Sequence, residues 1–369
     1  MLMSYVKVGF VLLSNSQRPI PSTRIAALNM FPFLRAAGFD PQIVFEPESA
    51  TETPQLPDMA RSLASDGFQI IVFQKVHGPD VERQARELSQ IGIKTVYSVC
   101  DLVNDTMAAL TDATIVITDY LKSLYSPMWQ SKIHVVHDGI ERPEIRKTAF
   151  RADGGSRKRA LKAVLVTSLD LDCLPVIETP PDWLEVTIVG RYAPAGRTLQ
   201  RLRELRWQLA SQPTADAKVA YLRFLANRRI RRQAWDPIGV YVEMCQADIG
   251  IIPITTDTDR CVTSTPPTWM VKSENRLTMK MSVGLPVIAT PIPAYEPIVD
   301  QGRNGFLARS KADWNECLEA LRDPGRRRAI GELARETVLQ RFSMEEQACR
   351  LVNVLRSVIR DRAEMHERP

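Results

Sequence analysis

Apolar and polar residues alternate in blocks along the first part of the chain, and this pattern predicts strands separated by helices. Short apolar runs bounded by polar segments are typical of buried strands. The first helix is predicted from Ser22 to Ala37, capped by Ser22, kinked at Pro32 and ended by Gly38. The predicted strands are Val6–Leu13, Gln42–Phe45, Gln69–Phe73, Lys94–Ser98, Ala113–Thr118 and Ile133–Val136. Strands that alternate with helices in this way indicate a parallel, doubly wound sheet.

A second series of blocks follows a loose polar segment. Residues 151–159 are polar and contain two glycines, which predicts a linker between domains. A terminal helix is predicted from Ser343 to about Glu364, with Ser343 and Glu346 as its capping box. The strands predicted in this part are Ala163–Ser168, Glu185–Val189, Lys218–Leu222, Ile249–Pro253, Pro286–Ala289 and Gly305–Leu307.

The predicted fold class is α/β, with two doubly wound Rossmann-like domains that face a cleft. A length of 369 residues is about twice that of a typical domain. We expect an N-terminal domain over residues 1–145, a C-terminal domain over residues 160–342, and a helix over residues 343–369 that crosses back to the N-terminal domain. The cleft between two such domains is the default ligand site.

Charge and composition narrow the classes of partner. The apolar fraction of 44% and the charged fraction of 25% are ordinary for a globular protein. A net charge of +5 suits an anionic substrate or an anionic membrane surface, and it does not require nucleic acid. The densest basic run, Arg228–Arg232, lacks regularly spaced aromatic residues nearby, so we interpret it as a solvated face. We expect no nucleic-acid partner, and peripheral contact with a membrane stays open.

The six cysteines are scattered and include no C-x-x-C pair. This spacing indicates a reducing compartment and argues against a zinc site or a disulfide framework. The apolar run that ends at Leu13 predicts a strand and not a signal peptide, and no stretch approaches the ~20 apolar residues that span a bilayer. We expect a cytoplasmic protein, with the inner face of the membrane as the alternative location.

The segment Lys272–Arg276 precedes a predicted helix, Leu277 to Val283, that ends at Gly284. Helix N-termini attract anions, so Lys272 and Arg276 predict a seat for a diphosphate, with Glu274 and Asn275 beside it. A second helix start is expected after the segment from Pro291 to Tyr295. The alternative is that both basic side chains are solvated and Gly284 is simply a left-handed helix cap.

Three further candidates follow predicted strands. Gly190 and Arg191 lie at a strand end, but the Lys-Ser/Thr of a P-loop is missing, which excludes a P-loop ATPase. Arg191 either meets a phosphate or is a surface residue. Asp101 is a candidate general base or acceptor contact, with a helix cap as the alternative. His137 is a candidate catalytic group, although a lone histidine is more often structural. Asp170 and Asp172 are interpreted as a turn rather than a metal site.

Several of these segments together resemble one family. They are Asp248–Pro253, Lys272–Arg276, Gly284–Ala289, Asn304–Phe306 and Arg341–Ser343. In order and spacing they resemble the donor half of retaining glycosyltransferases of the GT-B fold, family 4 type, over roughly residues 240 to 350.

The resemblance implies that the second domain binds a nucleotide sugar as co-substrate. Arg191, Lys272 and Arg276 would offset the diphosphate charge, and the loop of Thr290, Pro291 and Tyr295 would lie over the phosphates or the sugar. Such enzymes usually need neither a metal nor a cofactor, because basic side chains and helix ends stabilise the leaving diphosphate.

The chain also departs from the family pattern. The paired glutamates that commonly precede the Gly-x-Pro fall at Val271 and Met279, and neither residue is acidic. The usual Gly-Arg…Lys-Gly after the first donor-domain strand is replaced by residues 167–172. These departures fit either an unusual donor or a divergent or lost catalytic apparatus.

The functional hypothesis is a hexosyltransferase that moves a sugar from a nucleotide donor to a glycan, a lipid-linked intermediate or a small molecule. A role in polysaccharide biosynthesis is implied by the resemblance alone. The alternatives are a non-catalytic GT-B-like binding subunit and a nucleotide-sugar epimerase or hydrolase on the same fold.

Overall fold

In the computed structural model, residues 5–168, 171–192, 198–256 and 266–366 are described. The chain divides into two compact units. The first unit consists of Met1–Glu141, Met270–Glu274 and Phe342–Pro369, and the second unit of Arg142–Trp269 and Asn275–Arg341. The predicted linker, residues 151–159, therefore falls inside the second unit, and the short segment 270–274 belongs to the first.

The first unit contains a six-stranded sheet in which all pairings are parallel, in the order β2-β1-β3-β4-β5-β6. Its strands are β1 Val6–Val11, β2 Phe39–Phe45, β3 Phe68–Gln74, β4 Lys94–Val99, β5 Ala113–Val116 and β6 Ile133–Val135. Its helices up to residue 132 are α1 Pro21–Ala26, α2 Phe31–Ala36, α3 Ala60–Ser65, α4 Pro79–Gln90, α5 Asp105–Leu110 and α6 Asp119–Ser123, with 3₁₀ helices at Leu28–Met30 and Pro127–Lys132.

Both faces of this sheet are buried. On β3, Ile70 and Val72 pack into one core cluster, while Ile71 and Phe73 pack into the other. Successive side chains of a strand point to opposite faces, so a continuous apolar run fills two cores.

The single helix predicted from Ser22 to Ala37 is wrong, because the structure divides this segment. The structure has two short helices joined by a 3₁₀ turn, and Ala27 leaves the helical conformation with φ −127°. Pro32 lies at the start of α2, where its missing N–H costs nothing. The predicted capping by Ser22 is also wrong, since Ile20 precedes the helix and Ser22 lies inside it.

The second unit contains another six-stranded parallel sheet, in the order β12-β11-β10-β7-β8-β9. Its strands are β7 Leu161–Val166, β8 Leu184–Gly190, β9 Ile230–Ala234, β10 Ile249–Ile252, β11 Val287–Ala289 and β12 Phe306–Leu307. Its helices are α7 Thr198–Ser211, α8 Ala215–Ala226, α9 Gly239–Gln246, α10 Asn275–Ser282, α11 Lys311–Ala320 and α12 Pro324–Arg341.

The strand predicted at Lys218–Leu222 is wrong, because these residues lie within α8. Thr214 caps this helix through its hydroxyl, which accepts from Ala217 N, and Tyr221 and Phe224 are its buried side chains. Two buried positions three residues apart match a helix and not a strand. The third strand of this unit in chain order is instead β9, which begins within the basic run and continues to Ala234.

The C-terminal helix α13, Met344–His366, belongs to the first unit. Ser343 caps it through a hydrogen bond from Glu346 N to its hydroxyl at 3.2 Å, at the predicted position. Leu351, Leu355 and Val358 are buried in the core cluster that covers one face of the first sheet.

Candidate functional site

The topology of the second sheet identifies where a ligand would bind in that unit. The chain runs outward from β7 through β8 to β9, and β10 then pairs on the opposite side of β7. The order of strands reverses between β7 and β10, and ligands of open α/β sheets bind at the carboxyl ends of the strands at such a point.

Arg276 lies at this switch point. It is in the first turn of α10, and its Nη2 donates to Ser168 Oγ, two residues past β7, at 2.8 Å. The N-terminus of α10 adds a partial positive charge. Gly284 follows α10 with φ +88°, as predicted for a left-handed cap.

Gly190 and Arg191 end the neighbouring strand β8. The carbonyl of Gly190 accepts from Trp235 N at 2.8 Å and from Tyr192 N at 2.9 Å, which fixes the backbone. The side chain of Arg191 is exposed and has no hydrogen-bond or ion-pair partner within the described ranges. Among the described residues it is therefore a candidate cation for a ligand.

The loop after β11 differs from the prediction. Thr290, Pro291 and Tyr295 are buried, and Thr290 Oγ1 accepts from Ile254 N at 2.9 Å, which joins the ends of β11 and β10. Residues 293–298 form turns, so the predicted helix start after Tyr295 is wrong.

Lys280 is a residue that sequence reasoning missed. It is fully buried between α10 and β10, and its Nζ donates to the carbonyl of Arg276 at 3.1 Å. A Cβ on Gly250 would lie 3.0 Å from its Cδ, so the glycine leaves room for the lysine stem. Burial, and secondarily the charge of Arg276, lowers the pKa of Lys280 from 10.5 to about 7. The available signal was a basic residue within the apolar stripe Leu277, Met281.

Asp101 lies in an ion cluster of the first unit. Lys75, directly after β3, places Nζ 2.8 Å from Asp101 Oδ1 and 3.0 Å from Glu52 Oε1. Burial alone would lower the pKa of Lys75, but Cys100 and Asp101 raise it above its ordinary value. Lys75 also has a φ of +57°, a strained conformation for a lysine. The cluster holds Asp101 in place, and part of its side chain stays exposed.

His137 and Glu274 meet inside the first unit. Glu274 is 1% exposed, and its Oε1 lies 3.0 Å from His137 Nδ1 and accepts from Asp138 N at 3.3 Å. Its other oxygen has no hydrogen-bond partner among the described residues. Burial first, and then the charge of Glu274, raises the pKa of the Asp138 carboxyl to about 7.

The segment that the sequence grouped as a single diphosphate seat is divided by the structure. Lys272 and Glu274 belong to the first unit, while Asn275 and Arg276 open α10 in the second. Val271 anchors the segment in the core of the first unit. The grouping of Glu274 with the donor residues therefore needs correction, since its carboxylate faces His137.

Other features lie outside these sites. A cavity of about 360 Å³ in the second unit is lined by the loop 297–304 and by Leu333, Thr337 and Arg341 of α12, so none of the candidate site residues lines it. Among the described residues no group of His, Cys, Asp and Glu could hold a metal ion. Asp170 lies outside the described residues, so metal independence stays a prediction. No described helix is long and apolar enough to cross a membrane.

Comparison with known proteins places part of the chain near one family. Residues 253–353 match the family model described as "Glycosyl transferase-like". A sequence search against curated proteins gives no match. The matched segment includes Arg276, α10 and the loop after β11.

Solved structures resemble nearly the whole chain in fold. A glycosyltransferase from Rickettsia africae is 10% identical with a TM-score of 0.66, covering 96% of this chain and 99% of its own. Anabaena HepE in complex with UDP-glucose is 15% identical with a TM-score of 0.63, covering 96% and 100%. Sucrose-phosphate synthase from Thermosynechococcus elongatus is 14% identical with a TM-score of 0.65, covering 96% and 100%.

These likenesses agree with the architecture of the chain. Two six-stranded parallel sheets with alternating helices form the predicted α/β fold, and the expectation of a GT-B fold is confirmed. The chain is thus a two-unit α/β protein of the GT-B fold with a glycosyl transferase-like segment at residues 253–353.

Proposed function

We propose that this protein is a glycosyltransferase that uses a nucleotide sugar. The single observation that carries the proposal is the placement of Arg276. Its guanidinium lies at the N-terminus of α10, bonded to Ser168 at the switch point of the second sheet, within the segment that matches the glycosyl transferase-like model. An anion at this position meets a cation and a helix N-terminus together.

The donor would bind in the second unit. Arg276 and the exposed Arg191 are the cations proposed to bind its diphosphate, with Asn275 at the helix start and Gly190, Thr290, Pro291 and Tyr295 shaping the adjacent loops. Lys272, predicted from the sequence to bind the same diphosphate, belongs to the first unit, and its role stays a prediction. HepE, with a similar fold, has been solved with UDP-glucose, which supports a nucleotide sugar as the ligand class.

The acceptor would be a hydroxyl-bearing glycan, lipid-linked sugar or small molecule. In the transfer, the bond from the sugar C1 to the diphosphate breaks, a bond from C1 to the acceptor oxygen forms, and the acceptor loses its proton. Asp101 and His137 are proposed to bind the acceptor or take that proton. Retention of configuration, independence of metals and a cytoplasmic location, at the membrane or away from it, are parts of the proposal.

Nucleotide binding tests the proposal directly. Calorimetry with nucleoside diphosphates and nucleotide sugars should identify one that binds the wild type, and Arg276→Ala should weaken it by roughly 1.5–3 kcal/mol, as for a hydrogen bond to a charged group. Arg328→Ala is the matched control, because Arg328 is an exposed arginine that pairs with Glu332 on α12. Equal affinity in the wild type and Arg276→Ala would contradict the donor site.

Turnover separates the proposal from its alternatives. Incubation with the bound nucleotide sugar and a panel of acceptors should yield a transferred sugar, and chelator should leave the rate unchanged. A protein that binds the donor without any turnover would be a binding subunit. Release of free sugar, or conversion to another nucleotide sugar, would indicate the hydrolase or the epimerase.

A further inference from the structure

The imidazole of His137 is fixed on several sides within the first unit. The backbone N–H of His137 donates to Oε1 of the buried Gln347 on α13 at 3.0 Å. The ring packs edge-on against Phe342 with 5.0 Å between centroids. Its Nδ1 lies 3.0 Å from Glu274 Oε1. The backbone, the ring plane and one ring nitrogen are therefore all constrained.

The contact with Glu274 selects one tautomer of the imidazole. An ionised carboxylate only accepts hydrogen bonds, so a neutral imidazole that faces Glu274 through Nδ1 would carry its proton there and keep the lone pair on Nε2. Nε2 has no hydrogen-bond partner in the part of the chain that the structure describes, and 17% of the side chain is exposed. Among the described residues, Nε2 is thus the ring nitrogen of His137 left for a ligand.

Asp138 is buried beside Glu274, and its backbone N–H donates to Glu274 Oε1. The two carboxyl groups are buried close together, and the charge of Glu274 is one cause of the raised pKa of Asp138. Ser273 donates to the Asp138 side chain, and Glu141, further along the same loop, pairs with Arg24 instead.

Stability alone does not explain Glu274. One of its oxygens is buried without a partner, and an unpaired buried polar atom costs free energy. A buried residue that leaves one oxygen unpaired and directs the other at a histidine is better explained by its effect on that histidine.

We propose that Glu274 is a positioning residue that holds the His137 imidazole with its proton on Nδ1, so that Nε2 can accept a hydrogen bond or a proton from the acceptor hydroxyl. The role of Nε2 rests on the proposed function. The tautomer does not, because it follows from contacts within the first unit.

Nuclear magnetic resonance of ¹⁵N-histidine-labelled protein tests the tautomer. The chain has four histidines, so the His137 signals can be assigned with a His137→Gln variant. Two-bond nitrogen–proton correlations above neutral pH should show His137 of the wild type as the Nδ1–H form. A wild type in the Nε2–H form would overturn the proposal, and this measurement requires no variant of Glu274.

A pair of variants then assigns the effect to Glu274. Glu274→Met has a similar length but no acceptor, and it should shift His137 towards the Nε2–H form, whereas Glu274→Gln, which keeps an acceptor oxygen, should restore part of the preference. Glu141→Met is the matched control, because Glu141 bonds Arg24 and Asn29 and not His137. An unchanged tautomer in a folded Glu274→Met protein would exclude the role.

Kinetics with the identified donor complete the test. Glu274→Met should lower kcat about tenfold or more, with little change in KM for the donor, because the histidine acts on the acceptor. A loss confined to donor affinity would overturn the role of Glu274 towards the acceptor. If no donor is turned over by the wild type, the proposed function fails, while the tautomer measurement still decides whether Glu274 positions His137.

Discussion

The two units have the same kind of sheet but carry different side chains where the strand order reverses. In the first sheet the order reverses between β1 and β3, where Gln74 Oε1 accepts from Leu13 N at 3.2 Å and from Thr23 Oγ1 at 3.0 Å. These buried polar groups satisfy one another. In the second sheet the order reverses between β7 and β10, and the side chains there are Ser168 and the cationic Arg276.

The contrast extends to buried charge. The first unit buries two carboxyls, Asp138 and Glu274, and pairs Asp101 with Lys75. The second unit buries an amine, Lys280, beneath the helix that carries Arg276. The same fold class therefore holds different charged groups in its two units, because side chains at loops and helices can change while the sheet is kept.

The largest expected effect concerns the acidic side of this comparison. Asp101→Asn should lower kcat about 10²-fold, the usual range for a proton-transfer group, while the affinity for a nucleoside diphosphate stays unchanged. Steady-state kinetics and calorimetry on the same preparation measure both quantities. Asp105→Asn, which alters an exposed acid at the start of α5, is the control. A loss of nucleotide affinity in Asp101→Asn would contradict the assignment of acceptor chemistry to the first unit and nucleotide binding to the second.

The buried amine gives the next effect, on stability. The pKa of Lys280 is lowered from 10.5 to about 7 on folding, so the unfolded chain binds the extra proton between these values and stability rises with pH across this window. Lys280→Met should remove this dependence and raise the free energy of unfolding at pH 7 by roughly 1–4 kcal/mol. Urea unfolding from pH 7 to 10 measures how the free energy of unfolding changes with pH. If the variant has the same slope against pH as the wild type, the pKa of Lys280 is not lowered.

The buried acid should give the opposite trend and a somewhat smaller effect. The pKa of Asp138 rises from 3.8 to about 7 on folding, so its contribution to stability is complete below pH 4 and is lost as pH rises to 7. Asp138→Asn should flatten this fall, a change of roughly 1–3 kcal/mol between pH 4 and 7. Urea unfolding of the variant and the wild type at each pH gives the difference in their free energies of unfolding, which is the contribution of Asp138. A constant difference across this window would show that Asp138 titrates normally.

Much of the fold could be predicted from the pattern of the sequence. Runs such as Ile70 to Phe73 read as strands because both faces of a parallel sheet are buried. The end of α10 at Gly284 and the start of α13 at Ser343 were predictable, because each cap depends on a few neighbouring residues. The strand expected at Lys218–Leu222 failed for the same local reason, since a short alternation of polar and apolar residues fits both periods.

The candidate sites were only partly predictable. Asp101, His137 and Arg191 were proposed because polar residues after apolar strands fall at the carboxyl edge of a sheet, and Arg276 because it precedes a predicted helix start. Lys280 was missed because its hydrophobic surroundings come from β10, which is distant in sequence. The partners of Asp101 and His137, Lys75 and Glu274, lie 26 and 137 residues away from them, and no local pattern reports such contacts.

The sequence by itself determined the α/β class, the two series of strands and the positions of charged residues at strand and helix ends. These follow from periodicity and capping, which act within one or two turns of the chain. Only the tertiary structure decided that Lys272 and Glu274 belong to the first unit and Arg276 to the second. The segment of five residues is therefore divided between two units. The physical reason is that Val271 is buried in one core and Leu277 lies within α10 of the other unit, and burial depends on elements that are far apart in the sequence.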